Sequence, residues 1–491
     1  MKTKVHYPNK LTTNMLKRIL YISLGVASLS FAVTSCKTPE LAEKAINDTV
    51  PESFNGSQDT TNTATLDWKE YFSDPYLRTL IDTALSKNQE LNITLQEIQI
   101  AQNEVRVRKG EILPSVNIGV GAGVDKVGRY TSQGANDANT EIKPGKEMPD
   151  PLQDYVVGAF ATWEVDIWKK LRNAKKSALT RYLGSIEGKN FMVTNLIAEI
   201  ANSYYELLAL DNQLEIVQQN IEIQNNALEI VKYQKNAARV TELAVKRFEA
   251  QVLNTRSIQY EIQQQIIETE NRINFLVGRF PQRVERDHRV FTDLVPEMVH
   301  AGIPSQLLQN RPDIRQAELE LAASKVDIQV AKADFYPKLE ISAGLGFNAF
   351  NPSYLFTSPQ SLIYSLAGEL VAPLINRNAI KARYLTANAM QIQAIYNYEQ
   401  TILNAYIEVA NQLSNIDNLE KTYDLKTQQV NALTQSVDIS NDLFKSARAD
   451  YMEVLLTQRD ALESRFDLIE TKMKQMHAKV NIYQALGGGW Y

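Results

Sequence analysis

Residues Asn310 to Pro337 read NRPDIRQAELELAASKVDIQVAKADFYP, and they set the plan for the rest of the chain. Pro312 suits the first position of a helix, where its missing N–H is no loss. Asp313 falls in the first turn, where a carboxylate meets the positive end of the helix dipole. The helix is expected to run to Phe335, with Pro337 ending it before an alternating stretch, Leu339 to Phe347. The same plan occurs earlier. Asn88-Gln89-Glu90-Leu91 opens a helix that Pro114 ends before another alternating stretch, Val116 to Val124. Glu90 and Asp313, like Pro114 and Pro337, stand 223 residues apart. The chain therefore reads as a two-fold internal repeat. The first copy spans 66–281 with a first helix over 76–110, a linker spans 282–309, and the second copy spans 310–491.

The alternating stretches have period two. Val116, Ile118, Val120, Ala122 and Val124 interleave with Asn117 and three glycines; Leu339, Ile341, Ala343, Leu345 and Phe347 interleave with polar or small residues. Segments 155–165 and 362–371 are their partners. A membrane strand, with lipid on one face and water on the other, has this pattern and a length of about nine to eleven residues. A small soluble sheet has the same alternation, so the pattern alone leaves both readings open.

Between the strands lie two stretches without helix breakers. All 16 prolines fall outside 152–280 and 374–491, and glycine is absent from 189–277 and 369–486. Very long helices follow, 168–236 at roughly 100 Å and 241–276 at roughly 54 Å, with hairpin turns near Ala237 to Val240 and near Ala447 to Tyr451. In the first, Leu196, Ile200, Ser203, Leu207, Leu210 and onward to Val231 step by four and three. In the last helix, Leu455, Arg459, Leu462, Phe466 and onward to Tyr483 keep that spacing, with Arg459 the only charged residue among apolar ones.

Charged residues make up 22% of the chain and the net charge is −5, which argues against nucleic acid as a partner. No stretch reaches the roughly 18 to 20 apolar residues of a spanning helix. At the start, Lys17-Arg18 precede an apolar run to Val33, and Val33-Thr34-Ser35 lead into Cys36. Residues 1–35 read as a signal peptide and 36–65 as an extended tether. Cys36 is the only cysteine, so no intrachain disulfide forms. Its placement favours a lipobox and acylation over an ordinary signal peptide or a buried thiol. Met15 is an alternative start. Lys37, with no Asp after the cysteine, points to the outer membrane under bacterial lipoprotein sorting.

RPDI, followed by AELELAASKVDIQVAKADFYPKLEISAGLG, resembles the outer membrane efflux proteins, the TolC-like family, in the lipoprotein branch serving drug efflux. The resemblance covers nearly the whole mature chain. It implies a mainly α protein with a membrane β-barrel. Three chains would each give four strands to a twelve-stranded outer membrane barrel, continued by a long α-helical periplasmic tunnel. It also implies passive exit of drugs or other small molecules, with a periplasmic adaptor (membrane fusion) protein and an inner-membrane resistance-nodulation-division pump as partners. A duct for protein secretion and a periplasmic coiled-coil structural protein without a pore are the alternatives.

The resemblance also implies a gate at the second hairpin tip. Met452 matches an apolar ring position and Glu453 a position where some relatives carry Asp. Leu456 departs from the pattern, because relatives usually carry Asp there. A charge at Arg459 needs a partner or water. Its partner is expected on a neighbouring helix, either as a gate-locking ion pair or as a purely structural one. Asp450, in the turn itself, reads as solvated. Catalysis has little support. His6, His288, His300 and His477 lack metal-ligand spacing, and HExxH, P-loop and GxSxG motifs are absent. Neither enzyme, cofactor nor metal is expected.

Overall fold

The computed structural model describes residues 38–54, 56, 59–294, 300–372, 377–446 and 448–490. Cys36 and the segment before it lie outside the described residues. The chain forms two compact units.

The first unit comprises Gln102–Arg181 and Leu321–Ala394. Its centre is an antiparallel sheet of β1 (Ser115–Asp125), β2 (Leu152–Val165), β3 (Lys338–Ala349) and β4 (Leu362–Val371), in that order across the sheet. The register pairs Val120 with Val157, Val157 with Phe347, and Leu345 with Tyr364. Directly opposed residues share a face. One face is therefore made of alternate residues from Val116 to Val124, Tyr155 to Trp163, Leu339 to Phe347 and Leu362 to Leu370, and apart from Gly368 every one has an apolar body. The opposite face carries Asn117, Thr162, Glu164, Glu340, Ser342, Ser365 and Glu369 among glycines, with large apolar members such as Val156, Phe160 and Ile363. Gly119, Gly158 and Gly346 form one row across three strands. A Cβ on Gly346 would come within 2.4 Å of the Val157 carbonyl and one on Gly158 within 2.9 Å of the Leu345 carbonyl, so the two facing glycines leave no room for a side chain. Ile118, Val120, Tyr364 and Leu366 project unburied from the apolar face.

The second unit comprises Ala45–Ala101, Tyr182–Glu320 and Ile395–Tyr491. Where one helix was expected over 76–110, two form: α1 (Pro75–Lys87) and α2 (Gln89–Glu111). Asn88 causes the break. Its backbone is extended, its Oδ1 accepts from Leu91 N at 2.9 Å, and its Nδ2 donates to the Leu276 carbonyl at 2.8 Å. One side chain thus caps two helix ends.

Next come α3 (Lys170–Asn236) and α4 (Glu242–Leu276), then α5 (Pro312–Ala333), α6 (Arg377–Lys445) and α7 (Tyr451–Ala485). At 1.5 Å per residue α3 is about 100 Å long. α5 stops at Ala333, short of the expected Phe335. None of the described helices is long and apolar enough to cross a membrane. Gly278 and Gly487, at φ +69° and +86°, end the hairpins against the carbonyls of Lys87 and Asn310, where a Cβ would sit 2.4 and 2.7 Å from the oxygen. Both need a left-handed backbone that only glycine adopts freely.

The main core gathers Phe72, Leu77 and Ile81 with Ile197, Tyr204 and Leu207 of α3, Ile273 of α4, and Met476, Val480 and Tyr483 of α7. Tyr71 stacks on Tyr483 with centroids 4.1 Å apart. The expected tether is not a free one. Phe54 is 2% exposed and stacks on Tyr406, Asn47 N donates to Glu399, and Asn62 bridges to Ala301. The expected linker is packed as well: Val284, Phe291 and Leu307 are buried, and Arg286 lies between Asp211 and Glu270, with contacts of 2.5 Å to each.

Candidate functional site

The two hairpin turns of the second unit close differently. In the first, Ala238 takes a positive φ of 55°, Thr241 caps α4 by accepting from Ala244 N, and Lys235 pairs with Glu242 across the turn at 2.9 Å. The hydrogen bond from Lys235 lowers the pKa of Glu242. In the second, Asp450 precedes α7 without capping it through its side chain and remains exposed, while Glu453 N donates to the Asp450 carbonyl.

Beneath the turns, Val454 and Leu455 of α7 are buried, and Leu455 joins a cluster with Leu228 and Val231 of α3 and Val245, Phe248 and Val252 of α4. That burial turns the next residues outward. Glu453, Leu456 and Arg459, spaced by three, are all exposed on one side of α7. Met452 is half-buried, and its sulfur accepts from Arg247 Nη1 of α4 at 3.0 Å. No hydrogen bond or ion pair to the Glu453 carboxylate occurs among the described residues. The four expected gate residues therefore share the outward side of one helix.

Arg459 does not behave as its place in the apolar stripe predicts. It is exposed, and its guanidinium bonds Asp460, the next residue on α7, at 2.9 and 3.2 Å. Within the chain, its partner is on its own helix rather than a neighbouring one. The buried line instead steps from Leu455 by three to Gln458 and then by four to Leu462. Gln458 is 3% exposed, Gln224 of α3 is 1% exposed, and neither amide meets a hydrogen-bonding partner among the described residues. Both lie between apolar layers, since Ile221 clusters with Phe466 and Leu228 with Leu455. The four-and-three stripe from Leu196 to Val231 passes through Gln224, whereas the stripe of the last helix passes through Arg459 and misses Gln458.

Further from the tip, Arg311 is a second buried charge. It forks onto Asp313 at 3.0 and 2.6 Å, meets Glu408 at 2.7 Å, and donates to the Ala485 carbonyl at 2.8 Å. His477 of α7 contacts the Asn202 carbonyl through Nε2 at 3.0 Å, so that nitrogen carries the proton, and burial lowers its pKa.

The model of the outer membrane efflux protein family matches residues 80–279 and 303–488. The chain belongs to that family. Among curated members, it is 29% identical over 423 residues to the pyoverdine export outer membrane protein OpmQ of Pseudomonas aeruginosa, covering 86% of this chain and 87% of the relative. It is 25% identical to the cation efflux system protein CusC of Escherichia coli O6:H1, covering 94% and 97%, and 24% identical to the probable outer membrane lipoprotein SilC of Salmonella typhimurium, covering 96% and 97%. Among solved family structures, the outer-membrane channel OprN superposes with a TM-score of 0.81 at 24% identity, covering 93% of this chain and 99% of that one. The open state of the Neisseria gonorrhoeae MtrE outer membrane channel superposes with a TM-score of 0.79 at 22% identity, covering 92% and 99%. The family consists of channels rather than enzymes, and this chain is an outer membrane efflux protein.

Proposed function

We propose that three copies of this chain close into one outer membrane channel, the exit duct of a tripartite efflux system. The sheet is the observation that carries the reading. Its face of alternate residues from β1 through β4 is apolar and projects unburied, while its opposite face holds the polar side chains and the glycines, with large apolar exceptions such as Val156, Phe160 and Ile363. Lipid outside and water inside call for this distribution. Among the described residues this sheet has four strands, and its outer members β1 and β4 are left with open edges. A membrane barrel needs about eight or more strands, and hydrocarbon does not tolerate unpaired strand edges. Copies must therefore share one barrel, and the family resemblance sets their number at three. A coiled-coil protein without a pore has no use for such a face.

The two-fold repeat extends to details. Asn88 and Arg311 each open a helix beside a hairpin-ending glycine, Gly278 and Gly487 respectively. Cys36 is the acylation site, in keeping with a relative named as a probable lipoprotein. Met452, Glu453, Leu456 and Arg459 form the periplasmic gate, and their common outward side supports this. Relatives are named for pyoverdine export, cation efflux and toluene efflux. Cargoes so different on one fold indicate that selection belongs to the inner-membrane pump and its adaptor, with this chain a passive duct. The test is native mass and planar-bilayer conductance of the detergent-purified protein. A three-chain particle that conducts is expected. A monodisperse single chain retaining its β signal refutes the shared barrel.

A further inference from the structure

The apolar core of the second unit is interrupted at one level. The main core and the cluster of Leu210, Val217 and Ile262 share Ile266 as a packing neighbour. The cluster beneath the hairpin turns, with Leu228, Val252 and Leu455, shares no side chain with either. The layer that holds Gln224 and Gln458 is the boundary, and residue steps locate it on four helices. Gln224 of α3 comes three residues after Ile221 and four before Leu228. On α4, Thr255 comes three after Val252 and three before Ile258. On α7, Gln458 comes three after Leu455, and on α6, Ser440 comes four before Phe444, which packs on the tip cluster. Three or four residues make about one turn, so all four stand at one depth.

All four residues are polar and buried. The two hydroxyls donate within their own helices, Thr255 Oγ1 to the Gln251 carbonyl at 3.1 Å and Ser440 Oγ to the Val437 carbonyl at 3.0 Å. The oxygen and nitrogen of both amides are unmatched among the described residues. A buried polar group without a partner raises the free energy of the packed state, and water restores its bonds once the packing opens. An apolar side chain at the same place does the reverse. The layer therefore weakens the bundle at the depth where the tip cluster ends. On the tip side lie residues 225–254 of the first hairpin and 441–457 of the second. They include Met452, Glu453 and Leu456, and Arg459 stands one residue past Gln458.

We infer that the glutamine layer is a hinge line, at which the tip of the second unit opens by itself while the helices beyond the layer stay packed. Sub-global opening of this kind follows the borders of cooperative blocks. The tip block rests on a small cluster of its own, and the four amide atoms that gain water on opening lower the cost of opening it. The unmatched amides thus have a use: they set where the bundle yields. For a gate at Met452, Glu453 and Leu456, the layer confines motion to roughly the last two to four turns of each helix. That role rests on the gate reading, whereas the hinge itself does not.

The test is hydrogen exchange, followed by mass spectrometry, on the detergent-purified full chain. Peptides from 228–252 and 451–457 should exchange together, and faster than those from 203–217 and 262–272. Gln224→Leu and Gln458→Leu should each slow the tip peptides by roughly five- to hundredfold and leave the others unchanged. Val252→Ala, in the tip cluster, should speed the tip peptides alone. Equal acceleration of both groups by Val252→Ala overturns the hinge, because the core then opens as one block. Tip exchange that is unchanged or faster in the leucine variants overturns it as well, because the amides then cost the packed state nothing. In planar bilayers the double leucine variant should open less often than the parent chain. Slowed tip exchange with unchanged opening keeps the hinge and refutes the gate reading.

Discussion

Arg311 provides the sharpest test of how the second unit is held together. Its side chain is 6% exposed and ties three places to one point: Asp313 at the start of α5, Glu408 on α6, and the Ala485 carbonyl at the end of α7. Arg311→Met keeps the apolar stem and removes every one of these bonds. Breaking a buried pair by deleting one partner costs about 3–5 kcal/mol, because the other charge stays behind. Two features lower that figure here. The Glu408 side chain is 54% exposed, so its share is screened to about 1 kcal/mol or less. Asp313 also keeps the bond from Ile314 N and the field of the α5 N-terminus. The expected loss is therefore about 3 kcal/mol, the low end of that range. In a unit this large that is roughly 6 °C at about 2 °C per kcal/mol. Unfolding of such an assembly is irreversible, so the assay is a melt at fixed scan rate with inactivation half-life as the second readout. Arg311→Lys should fall between, because an ammonium cannot fork onto a carboxylate. Glu408→Gln should shift the melt by under about 2 °C. The double variant Arg311→Met with Asp313→Asn should recover part of the loss. A shift below about 1 °C for Arg311→Met, or equal shifts for Lys and Met, refutes the reasoning.

Other outcomes follow from the same geometry. Gln458→Leu and Gln224→Leu should each stabilise the chain by about 1–3 kcal/mol, the cost of a buried amide without partners; destabilisation shows instead that the amides pair with something. At the tip, three Glu453 carboxylates in one ring should attract cations, so Glu453→Ala should lower cation selectivity in single-channel recordings under a salt gradient. Among the described residues Arg459 bonds only its own neighbour Asp460, so raised conductance in Arg459→Ala points to a partner on another copy, and unchanged conductance makes it a surface residue. Asp59 accepts from Thr61 and contacts His300, and these bonds lower its pKa from 3.8 to about 2. A lowered carboxylate pKa means its contribution is complete above about 3.8 and lost as pH falls toward 2. Release of the 59–65 segment, followed by limited proteolysis, should therefore show no pH dependence from Asp59 between pH 7 and 5. Asp59→Asn should raise release by the same amount throughout that window.

The strands were legible because a sheet with one apolar face forces alternation along each strand, and the register places every expected apolar residue of β1 and β3 on one side. The long helices were legible from missing breakers. Less visible was whatever depends on a single side chain choosing a distant partner. Asn88 is an ordinary cap residue in sequence, yet it splits a helix because Leu276 offers a carbonyl. Phe54 sits in a Thr- and Asn-rich stretch that reads as a tether, and one aromatic contact docks it. At the tip the error was one residue. A strict 3.5 period keeps Arg459 in the core, whereas a helix near 3.6 residues per turn drifts and turns Gln458 inward. The proposed gate residues are grouped only by the family resemblance; nothing in their spacing distinguishes a gate from an exposed helix side.

The two free surfaces of the chain differ in what they demand before assembly. Each outer strand presents unpaired backbone groups along ten or eleven residues. In hydrocarbon each unsatisfied group costs several kcal/mol, so an inserted single chain is excluded. The exposed helix faces make no such demand. Apolar side chains spaced a turn or more apart on α4 and α6 are tolerated in water, because most folded surfaces are half apolar already. In the proposed channel, strand pairing is therefore the step that commits the copies to one another. Charge reversal on an exposed helix face, as in Glu268→Lys, should leave a three-chain particle able to form. Proline at Val120 or Leu366, near the middle of an outer strand, removes one backbone N–H and distorts the strand, and should prevent assembly altogether. If Glu268→Lys abolishes assembly and the proline variants do not, the order is reversed and the helices lead.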